Sequence, residues 1–441
     1  MKISITNAVA LNGGDAAILT GMHEMFREAF GPEVRITVFD KNPEVSAVLF
    51  PDMEFRESPY FLLEREPAWA AVIPSWKVQR FVTGLLRRLR KAGFWASVWK
   101  VRIFGGGAPH WMPGPALRRS LEAYLDSDAV VSAGGTYLVE SYSMAPQLFD
   151  YRLAIRLGKP LYLFTQSMGP FRSPWNRKKL YAAFRHARLI FLRDPVSLEH
   201  VRSLGKLETP LVQAADAAFV LREQAPLPGE RAPSPPGRFK VVVSVREWGN
   251  FSHLGSEAGM ENYKKAIRDA VSHLVTDHGA EVLFLSTCQG VPQYATDDAK
   301  LATEIVLMLG ERERRQVSVH ADFIAAQGIR EMLSDCDFVI ATRLHMAILA
   351  LTMEVPVLPV AYEYKTAQLF ERMGLGEWVT GIEDMDDAFC GRVDRFIERL
   401  PALRRTMLDF AREESARARM PAYMVREDLA GGRFPQIFAS S

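Results

Sequence analysis

The chain has 441 residues, 48% of them hydrophobic and 24% charged, so it can bury the cores of two or three domains. A formal net charge of +2 argues against a general nucleic-acid binder, which needs a strongly basic surface. The three cysteines, Cys288, Cys336 and Cys390, are scattered without a CxxC pair, which argues against a cysteine-framed zinc site and fits a reducing compartment.

KISIT (2–6) reads as a first strand and not as a signal peptide, because Asp15 stands where a small-residue cleavage site would be. No uncharged run reaches about 18 residues, so no membrane-spanning helix is expected. The strand leads through Asn12, Gly13 and Gly14 into a helix predicted over 15–29, with Asp15 as its candidate cap. Glycines beside a helix N-terminus suit an anion, and equally a tight turn. VRITVF (34–39) follows as a strand. Between Pro67 and Leu121 there is no Asp or Glu, but there are ten Lys or Arg, including RRLRK at 87–91, and five of the eight tryptophans. That composition suits an anionic membrane surface, single-stranded nucleic acid, or a solvated basic helix packed by its tryptophans.

A helix over 117–126 then precedes the strand DAVVSA (128–133), which ends at Gly134, Gly135 and Thr136. A helix over 145–157 leads to PLYLFT (160–165) and to Gln166, Ser167, Met168 and Gly169. A helix over 175–187 leads to RLIFL (188–192), then to Arg193 and Asp194 before a helix over 195–203. Arg193-Asp194 is either part of a site or a local ion pair with a cap. Residues 223–238 are Pro-rich and aperiodic, the clearest linker in the chain.

The rhythm resumes with KVVVSV (240–245), EVLFLS (281–286), VSVH (317–320), DFVIA (337–341) and VPVLPV (355–360) as strands. Helices are predicted over 260–278, 297–309, 327–335, 344–352 and 366–373, and a helical tail over 385–430. Two βαβ-rich halves imply two doubly wound α/β domains, whose ligands bind beyond the C-terminal strand ends. In the second half those ends are cationic. They carry Arg246 and Glu247, then Ser286, Thr287, Cys288 and Gln289, then Arg343, Leu344 and His345, then Glu363, Tyr364 and Lys365. An Arg at a helix N-terminus opposes the macrodipole unless an anion joins it. Either these cations clamp a phosphate or carboxylate, or Arg343 pairs with a carboxylate such as Asp216 or Glu363. His345 is a structural hydrogen bonder or, beside a bound anion, a general acid or base. Asp297-Asp298 opens a helix and reads as a capping pair. No HExxH, His pair with metal spacing or GxSxG elbow is present, so neither a metal site nor a serine hydrolase is expected.

Together these residues resemble the polysaccharide pyruvyl transferase family. The resemblance is carried by NGGDAAIL (12–19), VVSAGGTYL (130–138), TQSMGPF (165–171) and LRDPVS (192–197). In the second half it is carried by VVVSVRE (241–247), FLSTCQG (284–290), ATRLHMAILAL (341–351) and VAYEYK (360–365). The nearest subtype is the colanic-acid-type exopolysaccharide enzyme. The chain departs from the pattern at GGT, where many members have a third glycine, and at Tyr364, where a His is common.

The resemblance implies a GT-B-like fold of two Rossmann-like domains facing across a cleft. The N-terminal one, 1–222, carries the basic insertion (about 60–115) and the acceptor. The C-terminal one, 239–441, carries the donor, phosphoenolpyruvate. Arg343, Leu344 and His345 are implied as donor contacts, with His345 as general acid, Arg246, Arg343 and Lys365 as anion clamps, and Ser286 and Thr287 beside them. Asn12, Gly14, Asp15, Gly134, Gly135, Thr136, Gln166, Met168, Gly169, Arg193, Asp216 and Glu247 are implied for the acceptor or the cleft. No cofactor or metal is required. The implied partners are phosphoenolpyruvate and a polyprenyl-linked sugar acceptor; the basic, Trp-rich segment adds an anionic membrane surface as an expected partner, with a cytoplasmic, peripheral location. The rivals are a nucleotide-sugar glycosyltransferase on the same fold and a non-catalytic glycolipid-binding scaffold. Donor identity separates the first, and phosphate release in the presence of acceptor separates the second.

Overall fold

The computed structural model describes residues 1–224, 239–253, 255–432, 434 and 437–438. The expected linker over 223–238 lies outside the described residues from 225 onward. The chain divides into two compact units. Met1–Ala10, Met22–Asp216 and Arg419–Ser441 form the first, and Leu11–Gly21 with Ala217–Ala418 form the second. This differs from a division at 222 and 239 in three places: residues 217–222 count with the second unit, and two helices are divided between the units. The start of the helix Gly13–Phe30 counts with the second unit, and the end of the helix Phe389–Leu429 counts with the first.

The strands are β1 (Lys2–Thr6), β2 (Arg35–Asp40), β3 (Glu54–Glu57), β4 (Ala129–Ser132), β5 (Gly135–Leu138), β6 (Leu161–Met168), β7 (Leu189–Leu192) and β8 (Leu211–Gln213), followed by β9 (Lys240–Ser244), β10 (Glu281–Phe284), β11 (Val317–Val319), β12 (Phe338–Ala341), β13 (Val357–Ala361), β14 (Thr380–Gly381) and β15 (Ile437–Phe438). In the second unit all pair in parallel, in the order β11-β10-β9-β12-β13-β14. Counted within the unit this is 3-2-1-4-5-6, the doubly wound dinucleotide-fold order. The first unit begins with the same 3-2-1-4 order, as β3-β2-β1-β4. It continues through β6, β7, β8 and β15, with β5 pairing the end of β6. In such sheets the chain order reverses beside the first strand, and the crevice at that reversal is where ligands are held. The reversals fall between β1 and β4, and between β9 and β12.

Two-sided burial explains why the strands read as continuous apolar runs. Every residue of β4, β7 and β12 is buried. The runs KISIT and RLIFL, and the helical patterns at 145–157 and 344–352, coincide with their elements to within a residue. Strands β3, β5 and β8 were not expected. β3 is the polar edge stretch EFRE, exposed or half-exposed throughout, so it has no apolar signal. β5 follows β4 after two residues with no turn dipeptide between, and β8 has only three residues.

The segment 60–115 is built into the first unit. Leu62, Leu63, Phe94, Val98 and Met112 join its core beside Tyr124, Tyr151 and Leu163. No helix among the described residues is long and apolar enough to cross a membrane.

Candidate active site

β9 and β12 lie side by side with Ser244 opposite Ala341. Two residues beyond that level on each strand stand Arg246 and Arg343, so the parallel register alone brings two cations to the reversal of the second sheet. Their surroundings differ. Arg343 is the N-cap residue of the helix Leu344–Thr352 and is buried. Its Nε donates to Asp298 Oδ2 at 2.8 Å, and its Nη2 to Asp298 Oδ1 at 2.7 Å. Burial opposes the Arg343 charge, but the adjacent Asp298 carboxylate outweighs it and keeps the guanidinium fully protonated. The expectation that Asp216 or Glu363 would be its partner is corrected: Asp216 pairs with Arg193, and Glu363 with Lys365 at 2.8 Å. The capping role expected of Asp297-Asp298 divides. Asp297 caps the helix Asp298–Leu307, and Asp298 turns inward to Arg343 and to the hydroxyl of Ser286. The bidentate contact occupies two of the five guanidinium N–H donors, fixes the plane of the fork and leaves three donors.

Arg246 is held without an acid. Its guanidinium lies 3.9 Å from the ring centre of Tyr362 and 5.3 Å from that of Trp248. Among the described residues no carboxylate pairs with it, and its buried Nε has no protein acceptor. Stacking uses the flat face of a guanidinium and leaves the in-plane N–H edge for an anion. A pocket of about 510 Å³ opens beside it, lined by Glu247, Trp248, Met260, Lys264 and Thr296 among others. Exposed Glu247, expected at the acceptor or the cleft, borders this pocket in the second unit.

Asn12, Gly14 and Asp15, expected at the acceptor or the cleft, belong to the second unit. Asn12, not Asp15, caps the helix: its Oδ1 accepts from the backbone N–H of Gly14 at 3.0 Å and of Asp15 at 3.3 Å. Its Nδ2 donates to the Tyr294 hydroxyl at 2.8 Å. Burial pushes that phenol up to about 12, so it stays neutral, and pushes the nearby Cys288 thiol up as well. The two glycines are needed for close approach. A Cβ at Gly13 would collide with the Thr287 carbonyl, and one at Gly14 with Nδ1 of His345. Ser286 and Thr287 are buried, and the loop they start is tied by Ser286 N donating to Gln289 Oε1 at 2.7 Å. Leu344 and His345 are half-buried in the first turn of the helix after β12.

The glycines give a paired test. Gly13→Ala must displace backbone, so it should destabilise the protein by about 1–3 kcal/mol. Gly14→Ala needs only the His345 ring to turn away, so it should lower turnover while leaving thermal stability near wild type. Melting curves and initial rates on both variants check this. Equal melting temperatures for the two would contradict the placement of Gly13 against Thr287.

In the first unit the expected residues form a brace. Gln166 Nε2 donates to Ser132 Oγ and the Ala133 carbonyl, both at 3.0 Å, and to the Tyr137 hydroxyl at 2.8 Å. Arg193 binds Ser167 Oγ at 2.8 Å, Thr136 Oγ1 at 2.7 Å and Asp216. Asp194 caps the helix Pro195–Arg202 through Ser197. Gln166, Arg193 and Asp216 are buried; Arg193 and Asp216 pair with each other, the buried Oε1 of Gln166 has no hydrogen-bond partner, and Met168 lies in the core. Gly169 has φ +82, and a side chain there would strike His200. Gly134 and Gly135 are buried, and half-buried Thr136 is the member of this group nearest the surface. One further residue stands at the reversal of this sheet: Asn7, at φ 62, reaches Ser132 Oγ at 3.3 Å from the end of β1. An Asn ending an apolar strand is the signal that could have found it.

His273, His278 and Asp394 form a cluster that spacing along the chain did not reveal, their ligand atoms within 4.8 Å of one another. Each histidine Nε2 lies 2.7 Å from Asp394 Oδ1. They sit before β10 starts, not at the C-terminal strand ends that carry the arginines.

A family model described as polysaccharide pyruvyl transferase matches residues 12–364. The chain is 23% identical over 407 residues to the amylovoran biosynthesis protein AmsJ of Erwinia amylovora, covering 90% of this chain and 92% of that one. Among solved structures it resembles a putative UDP-N-acetylglucosamine 2-epimerase from Listeria monocytogenes, at TM-score 0.54 and 12% identity, covering 100% of this chain and 99% of that one. It also resembles HepE of Anabaena in complex with UDP and glucose, at TM-score 0.52 and 12% identity, covering 98% and 100%. These likenesses show the fold, two parallel-sheet α/β domains of the GT-B type.

Proposed function

As the chain belongs to the polysaccharide pyruvyl transferase family, we propose that it transfers the pyruvyl unit of phosphoenolpyruvate to two hydroxyls of a sugar in exopolysaccharide assembly. The observation that carries this reading is the pair of arginines at the reversal of the second sheet. Arg343 is oriented by Asp298 and keeps three donors; Arg246 is stacked on Tyr362 and keeps its in-plane edge. Phosphoenolpyruvate has two anionic groups, a phosphate and a carboxylate, and each suits one fork.

The chemistry balances without a further reactant. A proton added to the methylene carbon gives a methyl group and an oxocarbenium-like centre at C2. One sugar hydroxyl bonds to C2 and loses its proton. Phosphate leaves with the electron pair of the C2–O bond. The second hydroxyl then bonds to C2, loses its proton and closes the ketal. His345 is assigned as the acid, beside Gly14 and two residues beyond Arg343. The arginines stabilise charge on the departing phosphate, so charge neutralisation comes from side chains. Lys365, tied to Glu363, has an auxiliary role. Half-buried Thr136 is the proposed acceptor contact in the first unit, and a polyprenyl-linked oligosaccharide the proposed acceptor.

The test is mass spectrometry of reactions containing phosphoenolpyruvate and a panel of lipid-linked oligosaccharides, with phosphate release followed in parallel. A ketal-bound pyruvate gained by one acceptor is expected. Consumption of a UDP-sugar instead would establish the glycosyltransferase alternative, which the UDP-bound neighbour HepE brings into view. Arg246→Ala should weaken phosphoenolpyruvate binding roughly ten- to hundredfold, since a charged hydrogen bond contributes about 1.5–3 kcal/mol. Unchanged donor affinity in calorimetry would remove Arg246 from the site.

A further inference from the structure

The helix Trp76–Phe104 of the first unit carries two apolar faces. One holds Phe94, Val98 and Val101 and is buried in the unit's core. The other, on the opposite side, holds Val78, Phe81, Leu85, Leu89, Trp99 and Ile103, with Ala92 and Ala96 filling the stripe. The steps of three and four residues match the helical period over about seven turns. The six large side chains are 47–71% exposed. Single exposed hydrophobes are ordinary on a protein surface, but a continuous stripe roughly 38 Å long is not. Of the nineteen exposed large hydrophobic residues among those described, eleven lie between Trp69 and Trp111, so the exposure is concentrated here.

We propose that this stripe docks the protein on an anionic lipid surface, with the helix lying in the plane of the headgroups. Charge selects this occupant. Exposed Lys77, Arg88 and Lys100 flank the stripe, exposed Arg80 adds charge in the same helix's first turns, and no acidic residue occurs from 67 to 121. A second copy of the helix would bring like charges together, whereas helix pairing uses opposite charges beside its seam. An anionic surface is complementary to the whole length. Trp69, Trp76, Trp99 and Trp111 are all at least half exposed, and indole prefers the boundary between headgroups and acyl chains.

Not every basic or aromatic residue of this segment joins the stripe. Trp95 does not, although it stands four residues before Trp99. It packs on Phe149, with Arg152 and Arg156 over its ring. Most of the RRLRK run faces the protein: Arg87 and Lys91 bind Glu64, and Arg90 donates to the carbonyls of Leu62 and Arg65. These three hold the helix to the segment Pro59–Glu64, and Arg88 remains with the flanking cations.

The experiment is co-sedimentation of the full chain with vesicles of phosphatidylcholine alone, or containing 30% phosphatidylglycerol, at low and high salt. Two variants are compared: Lys77, Arg80, Arg88 and Lys100 all to Ser, and Phe81, Leu85 and Leu89 all to Ser. The changed residues are exposed, so both variants should fold, and circular dichroism checks this. Binding is expected only with phosphatidylglycerol, and it should weaken as salt is raised. The charge variant should lose at least about a hundredfold in partition coefficient, and the apolar variant should lose binding even at low salt. Equal wild-type binding to both lipids, or no binding to either, overturns the proposal without reference to a variant. So does a wild-type dimer in sedimentation velocity that the apolar variant converts to monomer, since the stripe would then be a protein interface.

Discussion

Asp298→Ala is expected to destabilise the protein by about 3–5 kcal/mol, the cost of leaving one partner of a buried ion pair without the other. Total stability of a protein is usually about 5–15 kcal/mol, so this is a large fraction of it. The carboxylate is fully buried, holds Arg343 by two hydrogen bonds and also receives the Ser286 hydroxyl. Removing it leaves a largely buried guanidinium that does not deprotonate at accessible pH and has lost its counter-charge. A double variant, Asp298→Leu with Arg343→Met, removes both charges and should recover most of the loss, because an apolar pair of similar volume carries no desolvation penalty. It should recover no activity, since the oriented fork is gone. Denaturant melts of the single and double variants give the comparison. A single variant within about 1 kcal/mol of wild type would mean that Arg343 finds another acceptor and that Asp298 is not its positioning residue.

This ion pair also marks where the sequence stops being legible. The strands that carry the site could be read because burial on both faces writes an unbroken apolar run, as in DFVIA and KVVVSV. Once those runs are placed, the doubly wound order brings Arg246 and Arg343 together at the reversal with no further information. The partner of Arg343 could not be found that way. Asp298 lies 45 residues earlier, at a helix start where an aspartate pair has an ordinary capping explanation, and only one of the two caps. That Asn12 to Asp15 group with the second unit is hidden for a related reason. Chain continuity puts them with β1, but the helix they open passes from one compact unit to the other at Gly21. The need for glycine at positions 13 and 14 depends on what stands opposite, Thr287 and His345, more than 270 residues away in the chain. In the first unit, nothing in the sequence tells that Gln166 reaches Ser132, or that Arg193 joins Thr136 to Asp216.

His345→Ala should separate chemistry from binding. A general acid acts as the proton moves, so its loss should lower kcat by roughly 10²–10⁴. The arginine forks remain in place, so the KM for phosphoenolpyruvate should change much less, which is the pattern of an interaction made only in the transition state. Folding should be little affected, because the ring is half-buried in a first helical turn and the space it leaves opens toward Gly14. In deuterium oxide the wild-type product should carry one solvent deuterium in its methyl group, since the added proton comes from an exchangeable acid. His345→Ala should form the same labelled product, only slowly, and a small exogenous acid such as imidazole should restore part of the rate. Gly14→Ala, which displaces the ring instead of deleting it, should fall between the two in kcat at unchanged donor KM. A His345→Ala enzyme within about threefold of wild-type turnover would assign the proton to another group. A loss wholly in KM would make His345 a donor-binding residue and leave the acid to be found elsewhere at the ends of β9 and β12.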